Sequence, residues 1–398
     1  MRSAAAVRMR CELVHRWVAE GRSPHFALDD DMLPAVAGYV VEVIRAEYPD
    51  LNIPYHSRWR HFSAGGIDRW SELASRFADP IERARSAIDV ATASVLLDAS
   101  AGDAWRYREP ESGLVLARSE GLAIASLDMF RSGCFSSDAG EPCRVDAVGL
   151  DRIDARTLAA QFQVGPENPL IGVEQRCSLL RGLGTALRER PDLFGPPPER
   201  PGRLVDHYLR TAPEGRIDAA GMLSTLLEAF SSIWPSGLVV QGFPLGDAGR
   251  HPAVRTSDAT DRIVPLHKLS QWLAYSLIEP LETAGLKVEG LDGLTALAEY
   301  RNGGLFIDLG AIRPRQPLDG RRRHEVQGEL VVEWRALTVA LTDRLLAPVR
   351  SELGLDAGFA MPHLLQGGTW SAGRKVARAL RPPDGPSPIM VATDGTVF

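Results

Sequence analysis

Val331-Val332-Glu333-Trp334-Arg335-Ala336-Leu337-Thr338-Val339-Ala340-Leu341-Thr342-Asp343-Arg344-Leu345 decides the fold class. Val331, Trp334, Leu337, Leu341 and Leu345 recur at three- and four-residue steps, which lines them along one face of an α-helix. The same period recurs toward the N-terminus. Pro265 opens a stretch with Leu266, Leu269, Leu273 and Leu277, closed by Gly285, in which Pro280 is expected to kink or end the helix early. Asp218 starts another through Leu223, Leu227 and Phe230, ended by Pro235. Asn168-Pro169 opens one with Cys177, Leu180, Leu183 and Leu187 on a face. Asp79-Pro80 reads as an N-cap followed by proline, with Glu82 at the capping-box position and Ile81, Ala84, Ile88, Ala91 and Val95 behind it. Strand signals are sparse. Residues 105–108 and 114–117 flank a turn at 110–113, and 389–398 carries Asp394-Gly395 between short β-prone runs, so a terminal hairpin is expected. Strands and helices do not alternate, which argues against a doubly wound sheet. The reading is a mainly α protein with one or two small β-hairpins.

The 398 residues suit two to three domain-sized units or one large two-lobed unit over 1–398, and the proline-rich stretch 191–203, with Pro196-Pro197-Pro198, is the candidate lobe boundary. At 44% hydrophobic the chain can build a substantial core, and its formal net charge of -6 argues against non-specific nucleic-acid binding. Lys268, Lys287 and Lys375 are the only lysines; the rest of the basic charge is arginine. The run Arg321-Arg322-Arg323 reads as a solvated loop. Cys11, Cys134, Cys143 and Cys177 are far apart without a C-x-x-C, which favours small buried hydrophobes. The basic start, 1–10, is not followed by an apolar signal region, and no run approaches the roughly 18 apolar residues of a membrane span. The expectation is a cytoplasmic protein without membrane or nucleic-acid partners, its oligomeric state open.

Several motifs fail. Gly182-Leu183-Gly184 lacks the third glycine of a dinucleotide fingerprint, since that position is Leu187. Thr369-Trp370-Ser371-Ala372-Gly373 has threonine where a nucleophile elbow needs glycine. His56, His61, His267 and His324 have no metal-ligand spacing. No metal or cofactor is expected.

Three stretches concentrate polar and aromatic groups. Ile53-Pro54-Tyr55-His56-Ser57-Arg58-Trp59-Arg60-His61-Phe62 reads as a pocket wall with anion-binding groups, Trp59 and His61 among them, or as a loop docking its aromatics on the core. In 264–275, Lys268 precedes core-facing Leu269 and Trp272 follows; the lysine reads as a site residue or as a snorkelling, salt-bridged one. In 294–308, Leu294, Leu297 and Ala298 set a buried face, and the reading has that helix run into Glu299, Tyr300, Arg301 and Asn302 and break at Gly303-Gly304. Four polar groups beside two glycines suit a site, or a C-cap with an ion pair.

These stretches, with Ser23-Pro24-His25-Phe26, Arg118-Ser119-Glu120-Gly121-Leu122-Ala123, Ile233-Trp234-Pro235, His324-Glu325-Val326 leading to Val332-Glu333-Trp334-Arg335-Ala336-Leu337, and Gly367-Gly368-Thr369-Trp370, resemble the uracil-catabolism family of fungi and bacteria, whose enzymatic activity is unknown. More distantly, Lys268-x-x-Gln271, Leu294-Thr295, Ala298-Glu299-Tyr300-Arg301 and Leu309-Gly310-Ala311 are similar in order to the queuosine-nucleotide salvage hydrolases. That resemblance implies a two-lobed helical fold related to the helix-hairpin-helix DNA glycosylases. It also implies cleavage of a ribose–base bond, with the motif lysine at Lys268 and the catalytic carboxylate at Glu299. The family's base-recognising Trp-Asp falls on Trp370-Ser371; serine carries no charge, so a different leaving group is implied.

The implied chemistry is metal-independent hydrolysis of an N-ribosyl bond in a nucleoside- or nucleotide-derived substrate. Glu299 would stabilise the charge that develops on the sugar and orient water, and Lys268 would hold Glu299 ionised. Tyr300 and Trp272 or Trp370 would border the substrate, and Arg301 would bind a 5′-phosphate. Ribosylurea, or its phosphate, going to urea and ribose or ribose phosphate is the expected reaction. The alternatives are an amide or ureide hydrolase acting on a ring-opened pyrimidine, and a non-catalytic nucleotide-metabolite binding protein.

Overall fold

A computed structural model describes residues 1–234, 237–320 and 322–397; the readings placed on Pro235, Arg321 and Phe398 fall outside the described residues. The chain is mainly α-helical, and among the described residues strands occur as six two-stranded pairs. It divides into two compact units assembled from alternating segments.

Unit 1 comprises residues 1–56, 236–271 and 290–392. Its spine is the helix Glu329–Leu353, where the stripe read from the sequence is buried: Val331, Trp334, Leu337, Leu341 and Leu345 are all at most 1% exposed. The helix Ala4–Ala19 lies along it, and the helices Leu33–Glu47 and Tyr300–Asp308 also pack on it. Val7, Cys11, Val14, Leu266, Ala298, Val332, Ala336 and Val339 form one continuous core. The helix Trp370–Leu380 packs on Tyr300–Asp308, with Gly373 directly against the Arg301 carbonyl. A π-helical turn, Leu364–Thr369, leads into it.

Unit 2 comprises 57–235, 272–289 and 393–398. It holds the helices Pro80–Leu96, Arg118–Arg131, Val173–Glu189 and Ala219–Phe230. Its core includes Trp105, Phe130, Phe135 and Phe162, and two of its buried arginines are matched to carboxylates, Arg58 to Asp98 at 2.8 Å and Arg69 to Glu109 at 2.6 Å. Asp79 and Asp218 cap their helices as expected, their carboxylates accepting from Ile81 and Gly221 amides. Glu82 turns instead to Arg85 and Arg200. The 191–203 stretch lies within this unit, with Leu193, Phe194, Arg200, Pro201 and Gly202 buried.

Several boundaries differ from the sequence reading. Pro265 ends a strand, Ile263–Pro265, paired with Ala248–Arg250, and the helix begins at Lys268. Positive φ at His267 breaks the chain there, and the Asp247 carboxylate takes the Lys268 amide at 2.9 Å. Pro280 does not end that helix, which runs Lys268–Thr283. Proline removes the donor for the carbonyl four residues back; that carbonyl, Ser276 O, accepts the Trp59 indole N–H at 2.8 Å. The helix expected from Asn168 starts at Val173, after Gly172 with φ +74°. Asn168 uses its side chain to bridge the Arg106 amide and carbonyl. The 107–116 hairpin forms, but among the described residues 389–397 make no hairpin: Met390–Ala392 pairs in parallel with Arg323–Glu325. No helix among the described residues is long and apolar enough to cross a membrane.

Candidate functional site

Glu299 lies at a helix start, not at a helix end. Residues 295–299 are irregular, the helix is Tyr300–Asp308, and Gly303-Gly304 sit inside it. The reason for Gly303 is packing: a Cβ there would come within 2.5 Å of Thr338 Oγ1 and 2.7 Å of Trp334 Nε1 on the Glu329–Leu353 helix. Glu299 is the N-cap. Its Oε2 accepts the Arg301 amide at 2.7 Å and its Oε1 the Asn302 amide, both groups that a helix start leaves without partners. A carboxylate has about four lone-pair directions, so each oxygen keeps acceptor capacity beyond these two bonds.

Irregular backbone can be buried only if its polar groups find partners. Leu294 through Glu299 are all buried, and side chains from four helices supply those partners. Arg8 donates to Leu294 O at 2.7 Å, Gln271 Oε1 accepts the Thr295 amide at 3.0 Å, and Gln271 Nε2 donates to Thr295 Oγ1. Asp343 accepts the Ala296 amide at 3.3 Å, Asn302 donates to Leu297 O at 3.4 Å, and Arg335 donates to Ala298 O at 3.2 Å. Arg335 also grips Asp247 through two bonds of 2.9 and 2.7 Å, and Asp247 caps Lys268. One guanidinium therefore fixes both the residue before Glu299 and the start of the lysine helix.

The electrostatics follow from this packing. Burial pushes the Glu299 carboxyl above its ordinary value, against the opposing pull of the Arg301 and Asn302 amides and of the Lys268 and Arg301 charges. Lys268 thus acts on Glu299 through its field. Burial also works to raise Asp247, but Arg335 outweighs it and holds that carboxyl below its usual value.

The other sequence-read residues fall as follows. Arg301 is 4% exposed, donates to Gly385 O at 2.6 Å and stacks on the Tyr300 ring at 4.9 Å. Trp370 faces the His56 ring at 6.1 Å and lies under Arg374, while Ser371 Oγ donates to Glu47 Oε2 at 2.7 Å. Those residues share unit 1 with Glu299 and Lys268. Trp59, His61 and Trp272 belong to unit 2. There, Trp59 is buried against Phe62 and Trp70, and Trp272 meets His61 edge-on at 5.4 Å with Arg58 over its face at 5.3 Å. No group of three or more metal-ligating side chains occurs among the described residues.

Residues 1–398 match the family model described as a protein of unknown function, DUF1688. The chain belongs to the DUF1688 family. It is 40% identical to Protein urg3 of Schizosaccharomyces pombe, covering 94% of this chain and 92% of that protein. It is 35% identical to Uracil catabolism protein 4 of Lachancea kluyveri, covering 100% of this chain and 98% of that one.

Sequence reasoning passed over Asp247, Asp343, Arg8 and the bracing role of Arg335. One signal was present: Arg335 sits between Val332, Ala336 and Val339 on an otherwise apolar helix face, where an arginine needs a buried acceptor. Asp247, in a loop rich in glycine, carried no comparable mark.

Proposed function

We propose that this protein hydrolyses an N-ribosyl bond in uracil catabolism, releasing urea from ribosylurea or its 5′-phosphate. The process is carried over from the relative named Uracil catabolism protein 4, which aligns along the whole of this chain. The chemistry rests on one observation: a buried carboxylate, Glu299, fixed by two backbone amides and poised in the field of Lys268.

Breaking the C1′–N bond sends the bonding pair to the urea nitrogen, which takes a proton from solvent, balanced when Glu299 later returns the attacking water's proton to solvent, and leaves positive charge on C1′ and the ring oxygen. Glu299 in its ionised form stabilises that charge, and its remaining lone pairs orient the attacking water and accept its proton. C1′ gains a hydroxyl, so the products are urea and the reducing sugar. Burial strengthens this interaction by excluding competing water. Lys268 opposes the protonation that burial favours at Glu299, and Tyr300 and Trp370 border the sugar. Arg301, with one nitrogen on Gly385, is the group assigned to the phosphate. Asp247 and Arg335 act as positioning residues. The proposal retains the expected kinship with the helix-hairpin-helix glycosylases.

The test is product identification by 13C NMR after incubating the purified protein with ribosylurea and ribosylurea 5′-phosphate. Urea and a free pentose support the reading. Ammonia and carbon dioxide with the C1′–N bond intact would mean attack at the ureide carbonyl, and binding without any turnover would mean a binding protein; either sinks it.

A further inference from the structure

Unit 1 contains a cleft of about 500 Å³ in which none of the Glu299 cluster takes part. That volume suits a small metabolite. Its floor is the first turn of the Glu329–Leu353 helix, and its walls come from the turn at 24–26 and from residues 314–319 and 322–325. Arg322, Arg323, His25 and His324 supply its basic groups; Asp319, Glu325 and Glu329 supply its carboxylates.

The turn carrying His25 is held from beneath. Ser23 Oγ accepts the amides of His25 at 2.9 Å and Phe26 at 3.0 Å, and donates to Glu333 Oε1. Glu333 is fully buried on the Glu329–Leu353 helix, and its Oε2 meets His251 Nε2 at 2.8 Å. His251 Nδ1 accepts the Ala253 amide, so Nε2 carries the hydrogen and donates to Glu333. The His25 carbonyl takes the Arg315 amide at 2.8 Å, and Phe26–Leu28 pairs with Ile312–Pro314. His25 is therefore fixed on two sides. Its Nε2 is buried and makes no hydrogen bond, although Glu329 Oε1 lies 3.3 Å away. The helix N-cap is Gly328, which offers no side chain to the first-turn amides. His324 is pushed below its ordinary value by burial first and then by Arg322 and His25.

We infer that this cleft binds a small sugar phosphate, a role separate from the proposed hydrolysis and independent of it. The two arginines and His25 match the phosphate oxygens. The three carboxylates would repel a bare anion but accept hydrogen bonds from sugar hydroxyls, so the cleft calls for a ligand that carries both.

Isothermal titration of the wild-type protein with ribose 5-phosphate, inorganic phosphate and ribose tests this, and involves no turnover. Ribose 5-phosphate is expected to bind saturably, at least tenfold more tightly than phosphate or ribose alone. Arg323→Ala and His25→Gln, each checked for an unchanged melting temperature, should each weaken it at least tenfold, and Lys268→Met should leave it unchanged. The inference is overturned by no saturable binding, by equal binding of inorganic phosphate, or by binding that responds to Lys268→Met and not to the cleft variants. Failure to release urea from ribosylurea would leave it standing.

Discussion

Glu299 combines two roles that are usually separate. As an N-cap it organises a helix start, and as a buried carboxylate in the field of a lysine it carries the proposed chemistry. Its raised proton affinity has consequences of definite sign. Between the ordinary glutamate value and the raised one, the folded protein holds a proton that the unfolded chain has released. Stability therefore falls as pH rises through that window, and Glu299→Gln should flatten this part of a melting-temperature profile. Turnover needs the ionised form, so the acidic limb of kcat/KM should lie above the ordinary glutamate range. Removing a positive charge raises the carboxyl further, so Lys268→Met should move that limb to higher pH. A limb that stays in place would show that Lys268 does not tune Glu299. Asp247 runs the other way: its carboxyl is held down by Arg335, so its contribution is present above the ordinary aspartate value and is lost as pH falls through the depressed one.

The segment 294–299 and the helices around it set the element scale. Because Arg335 serves both Asp247 and Ala298 O, Asp247→Asn should cost ~3–5 kcal/mol, the range for breaking a buried ion pair, read by chemical denaturation. Gly303→Ala should destabilise by ~1–3 kcal/mol through overpacking against Thr338 and Trp334. Gly38→Ala, mid-helix with nothing near the new methyl, should instead stabilise by ~0.5–1 kcal/mol. Equal effects of the two glycine substitutions would remove packing as the reason for Gly303. The sequence showed the long helix plainly, because one apolar stripe of period 3.6 suffices to mark it. It showed Lys268, Gln271, Thr295 and Glu299 as a set through resemblance alone; their geometric reason, Gln271 clasping Thr295, is a contact 24 residues apart that no local pattern encodes. The direction of the Glu299 helix was misread because Leu294, Leu297 and Ala298 mimic a helical face while lying in irregular backbone. That the helix continues past Pro280 is not legible locally either, since the donor that takes the freed carbonyl, Trp59, lies far away in the chain.

At the scale of the whole molecule, each compact unit is built from separate stretches of chain. Unit 2 needs 272–289 as well as 57–235, because the strand Arg216–Asp218 pairs with Lys287–Glu289. Composition and linker signals read along the chain have no access to such an arrangement. The proposed chemistry rests on a carboxylate, so turnover should be unchanged by EDTA; loss on chelation and recovery with a divalent cation would contradict it. The central claim is that Glu299 carries the hydrolysis, and the most direct measurement is the initial rate of urea release from ribosylurea 5′-phosphate by wild type and by Glu299→Gln. With the variant folded, as judged by an unchanged circular dichroism spectrum, the account predicts a fall in kcat of roughly 100- to 10,000-fold with KM little altered. A variant rate within a few-fold of wild type would contradict it.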